Sequence, residues 1–463
     1  MLTRIARWLA TSAVQAIPGL RETKLGVTPA YLAVGSEKHG WHLGLLVRGQ
    51  RGPKVWVDGQ EGPEYDAFGG PPVFSQDGKH VAYAAEKGGK WLVVVDGQEG
   101  AEHDGAMGLV FSPDGKRVAY VSAGRGRQFV VLDGIDGPGY DGILSHGLVF
   151  SPDGDHLAYG ANRGGNQLVV VDGQEGPECG IVYAPVFSLD SEHVAYAAKK
   201  GGAWVVIVDG QQGPDYSGPA RREIVPGTDG RLAADYTRRR TPAFSPDGKR
   251  LAYVVQKGTY YVAVVDGQEG PAYGDVADES VVFSSDGQHL AYAARRGEKW
   301  LVVADGQEGP EYGAIAADSV VFRPGGEHVA YAAEKSRRWR VVVDGQEGPE
   351  YDGISALIFG PDGEHMAHVA TRSGRQFVAL DGQEGPECDG IGRGSLAFSP
   401  DGKHVAYTAI KGGKQFVMVD GEEGPEYDAI IANGPSYHED GTLEFLGVRD
   451  GDLYRVTVPP AAQ

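Results

Sequence analysis

Short apolar stretches alternate with turn-forming residues at a nearly constant spacing along this chain. Residues 398–430 show the pattern in full: an FSPDGK turn, an apolar stretch, a KGGK turn, a second apolar stretch and the sequence DGEEGPEYDAI. The apolar stretches are short and rich in Val, Ala and Tyr, and Gly-rich or Asp-Gly turns bound them. This combination is typical of β-strands joined by tight hairpins. The pattern therefore predicts an all-β chain of short antiparallel strands.

The same unit recurs along nearly the whole sequence. Its copies open at aromatic residues that are 37 to 39 residues apart, except for one interval of 57. These residues are Phe74, Phe111, Phe150, Phe187, Phe244, Phe283, Phe322, Phe359, Phe398 and finally Tyr437. An earlier copy precedes them, because His42 lies 38 residues before His80. The sequence thus contains eleven units, the last of them truncated, and a fixed period of this length is typical of a repeat architecture.

Each unit contains four predicted strands. The first is short, as in residues 109–112, and a Pro-Asp-Gly turn leads to the second, as in residues 80–85. A Gly-rich turn leads to the third, as in residues 91–95, and an Asp-Gly-Gln-Glu-Gly-Pro turn leads to the fourth, as in residues 64–68. The middle strands are apolar on both faces, so neighbouring units must cover each small sheet on both sides. Four stacked antiparallel strands per ~40 residues predict the blades of a β-propeller.

The repeated FSPDGK-H-x-AY stretches, of which residues 398–407 are a clear example, resemble the TolB-type, WD-like propeller repeat of bacterial proteins. The resemblance extends over nearly the whole chain from about residue 28. It implies a propeller fold and says little about activity. The Gly-His and Trp-Asp signatures of true WD repeats are missing from these units, so the resemblance does not imply the functions of eukaryotic WD proteins.

The chain ends and the one long interval define the predicted domains. Residues 1–27 are assigned to an N-terminal helix and a closing strand, with the helix predicted from an apolar stripe in residues 1–18. A signal peptide cleaved after residue 16 is the alternative for this segment. The long interval contains an arginine-rich insertion, residues 217–241. It separates units 1–5, in residues 28–216, from units 6–11, in residues 242–463.

The sequence is compatible with two numbers of rings. Known propellers have about 4–8 blades, and eleven units exceed that number. Two rings joined at residues 217–241 are therefore the preferred prediction. The alternative is one very large ring, in which residues 19–27 supply the fourth strand that the truncated last unit lacks.

Charge differs between the two kinds of turn. The turn between the third and fourth strands is acidic, as at Asp96, Glu99 and Glu102, whereas the turn between the second and third strands is basic, as at Lys87 and Lys90. Antiparallel strands place successive turns at opposite ends of a sheet, so the pattern predicts one cationic and one anionic face. The insertion has six arginines against three acidic residues. As a connection between units, it is assigned to the cationic face. The formal net charge of −20 argues against a surface that coats nucleic acid or an anionic membrane.

The predicted function is a non-enzymatic scaffold that binds an anionic protein or peptide on its cationic face. The candidate partner-binding residues are Arg221, Arg222, Arg231, Arg238, Arg239, Arg240, Arg295, Arg296, Arg337 and Arg338. One alternative is self-assembly by stacking of a basic face on an acidic face. Another is a hydrolase or lyase with its active site in a central pocket. Nucleic acid is disfavoured, because no exposed aromatic residues are interleaved with the lysines.

No catalytic residue, metal ligand or cofactor is predicted. The sequence has no G-x-S-x-G, H-E-x-x-H, P-loop or Rossmann motif. Histidines recur at one position of the repeat, for example at His80 and His404, and are interpreted as turn-flanking residues with satisfied nitrogens. Cys179 and Cys388 replace a tyrosine of the repeat and are interpreted as buried thiols. They favour a cytoplasmic protein, with a periplasmic or secreted one as the alternative. No run of about 18 apolar residues predicts a membrane span.

Overall fold

The computed structural model describes residues 20–27, 31–35, 42–48, 52–57, 60–219 and 242–460. The predicted N-terminal helix and residues 220–241 of the insertion lie outside this part of the chain. The chain divides into two compact units. The N-terminal unit contains residues 29–36 and 41–297, and the C-terminal unit contains residues 1–28, 37–40 and 298–463.

Strands make up most of the described chain, and they are numbered in chain order. They are β1 (Arg21–Val27), β2 (Tyr31–Gly35), β3 (His42–Arg48), β4 (Pro53–Val57), β5 (Gln60–Glu64), β6 (Ala67–Phe68), β7 (Val73–Phe74), β8 (Val81–Lys87), β9 (Lys90–Val95), β10 (Gln98–Glu99), β11 (Gly105–Phe111), β12 (Val118–Gly124), β13 (Arg127–Leu132), β14 (Ile135–Tyr140), β15 (Gly142–Phe150), β16 (Leu157–Arg163), β17 (Asn166–Val171), β18 (Gln174–Glu175), β19 (Ile181–Val182), β20 (Val186–Phe187), β21 (Val194–Lys200), β22 (Ala203–Val208), β23 (Gln211–Gln212), β24 (Gly218–Pro219) and β25 (Ala243–Phe244). They continue as β26 (Leu251–Lys257), β27 (Tyr260–Val265), β28 (Gln268–Tyr273), β29 (Asp275–Val276), β30 (Val282–Phe283), β31 (Leu290–Arg296), β32 (Lys299–Ala304), β33 (Gln307–Glu308), β34 (Ala314–Ile315), β35 (Val321–Phe322), β36 (Val329–Lys335), β37 (Arg338–Val343), β38 (Gln346–Glu347), β39 (Gly353–Phe359), β40 (Met366–Arg372), β41 (Arg375–Leu380), β42 (Gln383–Glu384), β43 (Gly390–Ile391), β44 (Ala397–Phe398), β45 (Val405–Lys411), β46 (Lys414–Val419), β47 (Glu422–Glu423), β48 (Ala429–Tyr437), β49 (Leu443–Arg449) and β50 (Asp452–Val458). Short 3-10 helices lie at Asp278–Ser280 and Ala317–Ser319.

In the N-terminal unit, repeats 1 to 6 form the sheets β2–β5, β6–β10, β11–β14, β15–β18, β19–β23 and β24–β28. Strands β29–β31 also belong to this unit. Repeat 3 shows the strand order in its simplest form, β11-β12-β13-β14, and its neighbours are antiparallel. In repeats 2, 5 and 6 the first strand is broken into two pieces that both pair with the second strand, as β6 and β7 pair with β8.

The C-terminal unit has the same construction. It contains β32 and β33 and the sheets of repeats 8 to 10, which are β34–β38, β39–β42 and β43–β47. Repeat 11 supplies three strands, β48–β50, and β1 adds a fourth by pairing antiparallel with β50. Arg21 lies opposite Thr457, and Val27 lies opposite Asp452. Residues 21–27 thus supply the fourth strand of the last sheet, while the number of rings stays a prediction.

The second and third strands carry the buried core of each sheet. Side chains of successive strand residues point to opposite faces, yet Leu92, Val93 and Val94 are all buried, with exposed fractions of 3% or less. Both faces of the sheet are therefore covered: Leu92 packs with Tyr65 of repeat 1, and Val93 packs with Tyr120 of repeat 3. Each fully buried Val or Leu side chain contributes roughly 1.5–3 kcal/mol. This stacking of four-stranded antiparallel sheets confirms the predicted all-β, propeller fold class.

The turn between the third and fourth strands is held by its own aspartate. Asp96 and Gly97 have φ values of 48° and 79°, which is the conformation of a type I′ hairpin turn. The Asp96 carboxylate accepts the N–H of Val81 at 2.9 Å and contacts His80 Nδ1 at 2.7 Å. Much of the acidity assigned to this turn therefore has a structural use, since it ties the turn to the start of the second strand.

The insertion leaves its sheet at an unexpected place. Strands β24 and β25 both pair with β26, Gly218 opposite Gln256 and Phe244 opposite Leu251. Residues 220–242 thus lie between the two pieces of a broken first strand, where repeat 2 has only residues 69–72. The prediction that the insertion connects two blades was wrong, because a connection would precede the first strand and not interrupt it.

Candidate functional site: the basic turns and their carboxylates

The predicted cationic end of each sheet contains the two-residue turn between the second and third strands, called the basic turn below. In repeat 2 it is Gly88–Gly89, flanked by Lys87 and Lys90. Its glycines have φ values of 62° and 78°, so this turn is also of type I′. In such a turn the strands do not use the N–H of the first turn residue, so a side chain, a ligand or water can accept it.

The cation that ends the second strand pairs with a glutamate of its own sheet. Lys87 Nζ lies 2.8 Å from Glu99, the glutamate of the DGQE turn. The equivalent pairs are Arg163–Glu175, Lys257–Glu269, Lys335–Glu347, Arg372–Glu384 and Lys411–Glu423. Glu99 also accepts a hydrogen bond from the Tyr65 hydroxyl of the preceding repeat at 3.0 Å. The contacts with Lys87 and Tyr65 lower the pKa of Glu99, so this carboxylate stays ionised between two repeats.

An aspartate that follows the fourth strand supplies the partner of the turn N–H. One carboxylate oxygen of Asp389 pairs with Arg375 of its own sheet, and the other accepts the N–H of Gly412 in the next basic turn at 2.6 Å. The equivalent contacts to the next turn are Asp66 to Gly88, Asp141 to Gly164, Asp352 to Ser373 and Asp428 to Asp450, at 2.6–2.8 Å. Each of these aspartates therefore fastens one repeat to the next.

These contacts reduce the positive charge that the sequence predicts for the cationic face. The fourth strand runs back to the end of the sheet that holds the basic turn, and it brings its aspartate there. Exposed ion pairs of this kind contribute only about 0–1 kcal/mol each to stability, but they neutralise most of the local positive charge. Within the described residues, cations at these turns whose side chains form no ion pair or hydrogen bond include Arg125, Lys200, Lys299 and Arg337.

The ten candidate arginines are in different situations. Arg221, Arg222, Arg231, Arg238, Arg239 and Arg240 lie outside the described residues. Arg295 lies 3.8 Å from Asp275, and Arg296 lies over the ring of Tyr273, 5.9 Å from its centroid. Arg338 forms an ion pair with Asp352. Arg337 occupies a left-handed turn position, with φ of 65°. Arg295, Arg296 and Arg338 are therefore each engaged with a side chain of the protein itself.

The histidines of the repeat are bound to the turn aspartates, as the sequence interpretation expected. The Nδ1 atoms of these histidines lie 2.5–2.8 Å from a carboxylate in the pairs His80–Asp96, His156–Asp172, His193–Asp209, His328–Asp344, His365–Asp381 and His404–Asp420. The hydrogen bond to Asp172 raises the pKa of His156. The ligand atoms of Asp362, Glu364 and His365 lie within 4.8 Å of one another, but His365 Nδ1 is already bonded to Asp381.

Three buried polar residues break the pattern of the repeat, and sequence reasoning missed them. Arg340 stands where other repeats have a buried leucine such as Leu92, and it pairs with Glu347 and Glu350. His368 stands in the position of Tyr83, and neither of its ring nitrogens has a hydrogen-bond partner. Comparison of equivalent positions between repeats would have revealed both substitutions.

Glu444 is the third of these residues, and it replaces a fully buried alanine of the repeat, such as Ala82. Its carboxylate contacts His438 Nε2 at 2.7 Å and pairs with Arg455. Burial opposes ionisation of Glu444, but the hydrogen bonds from His438 and Arg455 outweigh it and lower the pKa. The charged group is therefore compensated inside the last sheet.

One pair of neighbouring carboxyl groups also departs from the repeat. Asp278 stands in the break of the first strand of repeat 7, where repeat 8 has Ala317. Burial and the adjacent Glu279 carboxylate raise the pKa of Asp278 to about 7. A carboxyl group with this pKa is partly protonated at neutral pH, which is a property of many acid–base catalysts.

The two cysteines are free and buried, as the sequence indicated. Burial raises the pKa of the Cys179 and Cys388 thiols, and their sulfur atoms lie near the carbonyl oxygens of Pro177 and Pro386. Thiols in this state are weak nucleophiles. Neither cysteine is therefore assigned a chemical role.

No family model matches the sequence, and no curated protein matches it. Similar solved structures include a eukaryotic initiation factor, with 12% identity, a TM-score of 0.38 and coverage of 74% of this chain and 95% of that chain. The Dos1 propeller has 12% identity, a TM-score of 0.32 and coverage of 68% and 92%. The β-propeller domain of the Trilobed protease from Pyrococcus furiosus has 14% identity, a TM-score of 0.25 and coverage of 68% and 95%. Likenesses this distant transfer no function. No helix among the described residues is long and apolar enough to cross a membrane.

Proposed function

We propose that this protein is a non-enzymatic propeller scaffold that binds an anionic protein or peptide, with the arginine-rich insertion as its principal contact. One observation supports this assignment above the others. Carboxylates of the same sheets neutralise most cations of the described basic turns, whereas the insertion carries six arginines against three acidic residues. A partner attracted by positive charge would meet its strongest local source there.

Charge reversal within the insertion tests this proposal. The variant R238E/R239E/R240E should lose binding of a fluorescein-labelled hexaglutamate peptide at low ionic strength, while thermal unfolding stays unchanged. The matched control is K79E/K116E/K249E, which makes the same change of net charge on exposed lysines that follow the Asp-Gly turns between the first and second strands. Equal peptide binding by the wild type and the insertion variant would refute the assignment. Affinity capture followed by mass spectrometry can then identify the cellular partner.

Two finer assignments rest on the repeat sequence and on the cysteines. We propose a TolB-type, WD-like repeat because of the FSPDGK-H-x-AY stretches. We propose a cytoplasmic location because both cysteines are free, which suits a reducing compartment. Fractionation of cells that express a C-terminally tagged protein, together with N-terminal sequencing of the product, tests the location and the cleavage after residue 16.

A hydrolase or lyase is the second candidate, and the carboxyl pair of Asp278 and Glu279 favours it. A group with a pKa of about 7 can act as a general acid or base at neutral pH. A screen of chromogenic ester and glycoside substrates should then find an activity that D278N abolishes. The matched variant D318N, in the corresponding 3-10 helix of repeat 8, should keep that activity. An activity that survives D278N would exclude this pair.

A further inference from the structure

One backbone hydrogen bond recurs at every boundary between consecutive repeats, whichever residue donates it. The residue after the tyrosine, cysteine or, in repeat 2, histidine of the fourth strand donates its N–H to a carbonyl of the next second strand. Asp66 donates to Glu86 and Asp141 donates to Asn162, both at 2.9 Å, and Gly180 donates to Lys199 at 2.8 Å. The Cα of Gly180 therefore lies where other repeats have an aspartate.

The substitution of glycine at position 180 leaves one basic turn without its usual partner. In repeats 2 and 4 the aspartate carboxylate accepts the first N–H of the turn at 2.7 Å. The equivalent N–H in repeat 5 belongs to Gly201. Within the described chain this group has no hydrogen-bond partner, and Gly201 and Gly202 are exposed. Their φ values of 59° and 92° show the same turn conformation as in repeat 2.

A second carboxylate is missing from the same turn. Lys200 occupies the position of Lys87 and Arg163, which pair with Glu99 and Glu175. In repeat 5 the corresponding residue is Gln212, which is neutral. Lys200 is exposed, and its side chain forms no ion pair in the part of the chain that the structure describes. Two independent sequence changes have thus removed both carboxylates from this turn.

The neighbouring residues favour an incoming anion. Lys199 Nζ lies over the ring of Trp204, 5.8 Å from its centroid. The ring of Tyr183 stacks on the same Trp204 ring, with a centroid distance of 5.5 Å and an interplanar angle of 16°. A side chain built at Gly180 would meet only the Lys199 carbonyl, 3.5 Å from its Cβ. The place of the missing aspartate side chain is therefore open, and Lys199 and Lys200 end the adjacent second strand.

Two of the other boundaries without the aspartate are filled in a different way. In repeat 6 the Ser217 hydroxyl accepts the N–H of Gly258 at 2.6 Å. In repeat 8 the Glu334 carboxylate occupies the space beside Gly313 and accepts the N–H of Arg337. The boundary between repeats 4 and 5 differs from both, because the chain supplies neither a hydroxyl nor a carboxylate there. Between repeats 6 and 7, Gly274 also replaces the aspartate, but repeat 7 keeps an acidic residue, Glu308, at the position of Gln212.

We propose that the basic turn of repeat 5 is a carboxylate-binding site for an acidic side chain of a partner protein. One carboxylate oxygen accepts the N–H of Gly201, as Asp66 and Asp141 do at their own turns, and the other lies toward Lys199 and Lys200. A carboxylate is assigned because in six equivalent turns a turn N–H donates to the carboxylate of the repeat aspartate. This inference deepens the proposed function by naming a group that the protein recognises and a second place where recognition occurs.

Restoring the aspartate of the repeat tests this site. In G180D the protein supplies its own carboxylate to Gly201, so the labelled hexaglutamate peptide should bind at least tenfold more weakly than to the wild type. G180A is the matched control, because Gly180 has no positive φ and its surroundings accept a Cβ. G180A should bind like the wild type, and neither variant should lower the unfolding temperature.

The Gly201 amide reports on the same site directly. In protein labelled with ¹⁵N-glycine, its resonance should move downfield as acetate is added, and in G180D it should already lie downfield without acetate. Equal peptide binding by G180D and G180A would refute the site. A Gly201 resonance that responds to inorganic phosphate at lower concentration than to acetate would overturn the carboxylate assignment in favour of a phosphorylated partner.

The two proposals fail separately in these experiments. Loss of peptide binding in R238E/R239E/R240E but not in G180D supports the insertion and refutes the turn site. The reverse result supports the turn site and refutes the insertion as principal contact. Retention of binding by both variants refutes both assignments.

Discussion

His368 offers the sharpest test of how the repeat pattern controls stability. It replaces a tyrosine of the repeat inside the sheet of repeat 9, and only 3% of its surface is exposed. Its ring meets Tyr351 edge to face at 5.6 Å. The Glu384 carboxylate acts on the His368 ring electrostatically, and it pairs with Arg372 at 2.5 Å. Burial lowers the pKa of His368 to about 4, although Glu384 acts in the opposite direction.

The sign of the pH effect follows from this pKa. An unfolded chain has an ordinary histidine with a pKa of about 6.5, so between pH 6.5 and 4 the unfolded state binds more protons than the folded state. Stability must therefore fall as the pH drops through this range. With the folded pKa near 4, the loss is about 2 kcal/mol at pH 5 and approaches about 3 kcal/mol at lower pH.

The perturbation is H368Y, which restores the residue of the repeat. The difference in unfolding free energy between H368Y and the wild type, from urea titrations followed by tryptophan fluorescence, should grow by about 2 kcal/mol from pH 7.5 to pH 5. H365Q is the control, because the hydrogen bond to Asp381 raises the pKa of His365. That pair stabilises the fold below the unfolded pKa and loses its effect as the pH rises through the folded pKa, so its removal should change the pH dependence in the opposite direction.

A local measurement makes the reasoning easy to refute. In an NMR titration of histidine-labelled protein, the resonance that H368Y removes should have its midpoint near pH 4. A midpoint near 6.5 would show that His368 is solvated or finds a partner, and the account of an isolated buried imidazole would then be wrong.

Three further predictions concern the buried and clamping carboxylates. E444A should lower the unfolding free energy by about 3 kcal/mol, because it leaves His438 and Arg455 without their shared partner. E444Q should lower the unfolding free energy by less, and equal losses in urea titrations of the two variants would contradict this. D389A should lose about 1 kcal/mol, since Gly412 N–H and Arg375 lose their acceptor, and D389N should recover part of the loss because its amide oxygen still accepts the N–H. E22A removes the acceptor of the Tyr427 hydroxyl and the partner of Arg449. Amide hydrogen exchange of residues 21–27 should therefore speed up at least tenfold, while that of residues 405–411 stays constant. Unchanged exchange would mean that backbone pairing alone holds β1 in the sheet.

Much of this protein could be predicted from the amino-acid sequence. The spacing from Phe74 to Phe398, the apolar stretches and the Asp-Gly turns predict the four-stranded repeat, because each of these signals is local in the chain. The pairing of histidines with carboxylates is equally local, since His80 directly precedes and Asp96 directly follows one β-hairpin. The closing strand could also be anticipated, because the last repeat lacks a fourth strand and residues 19–27 precede the first repeat.

The arrangement of charge was decided only by the tertiary structure. Sequence order suggests that acidic and basic turns point apart, but Asp389 contacts Gly412 across a repeat boundary, and no local pattern shows where a side chain at the end of a fourth strand will reach. The same contact explains why Gly180 and Gln212 matter, since a missing carboxylate has meaning only once its partner in the next turn is known. Local hydrogen bonding and periodic burial thus determine the repeat, whereas the electrostatic surface depends on which repeats the fold brings together.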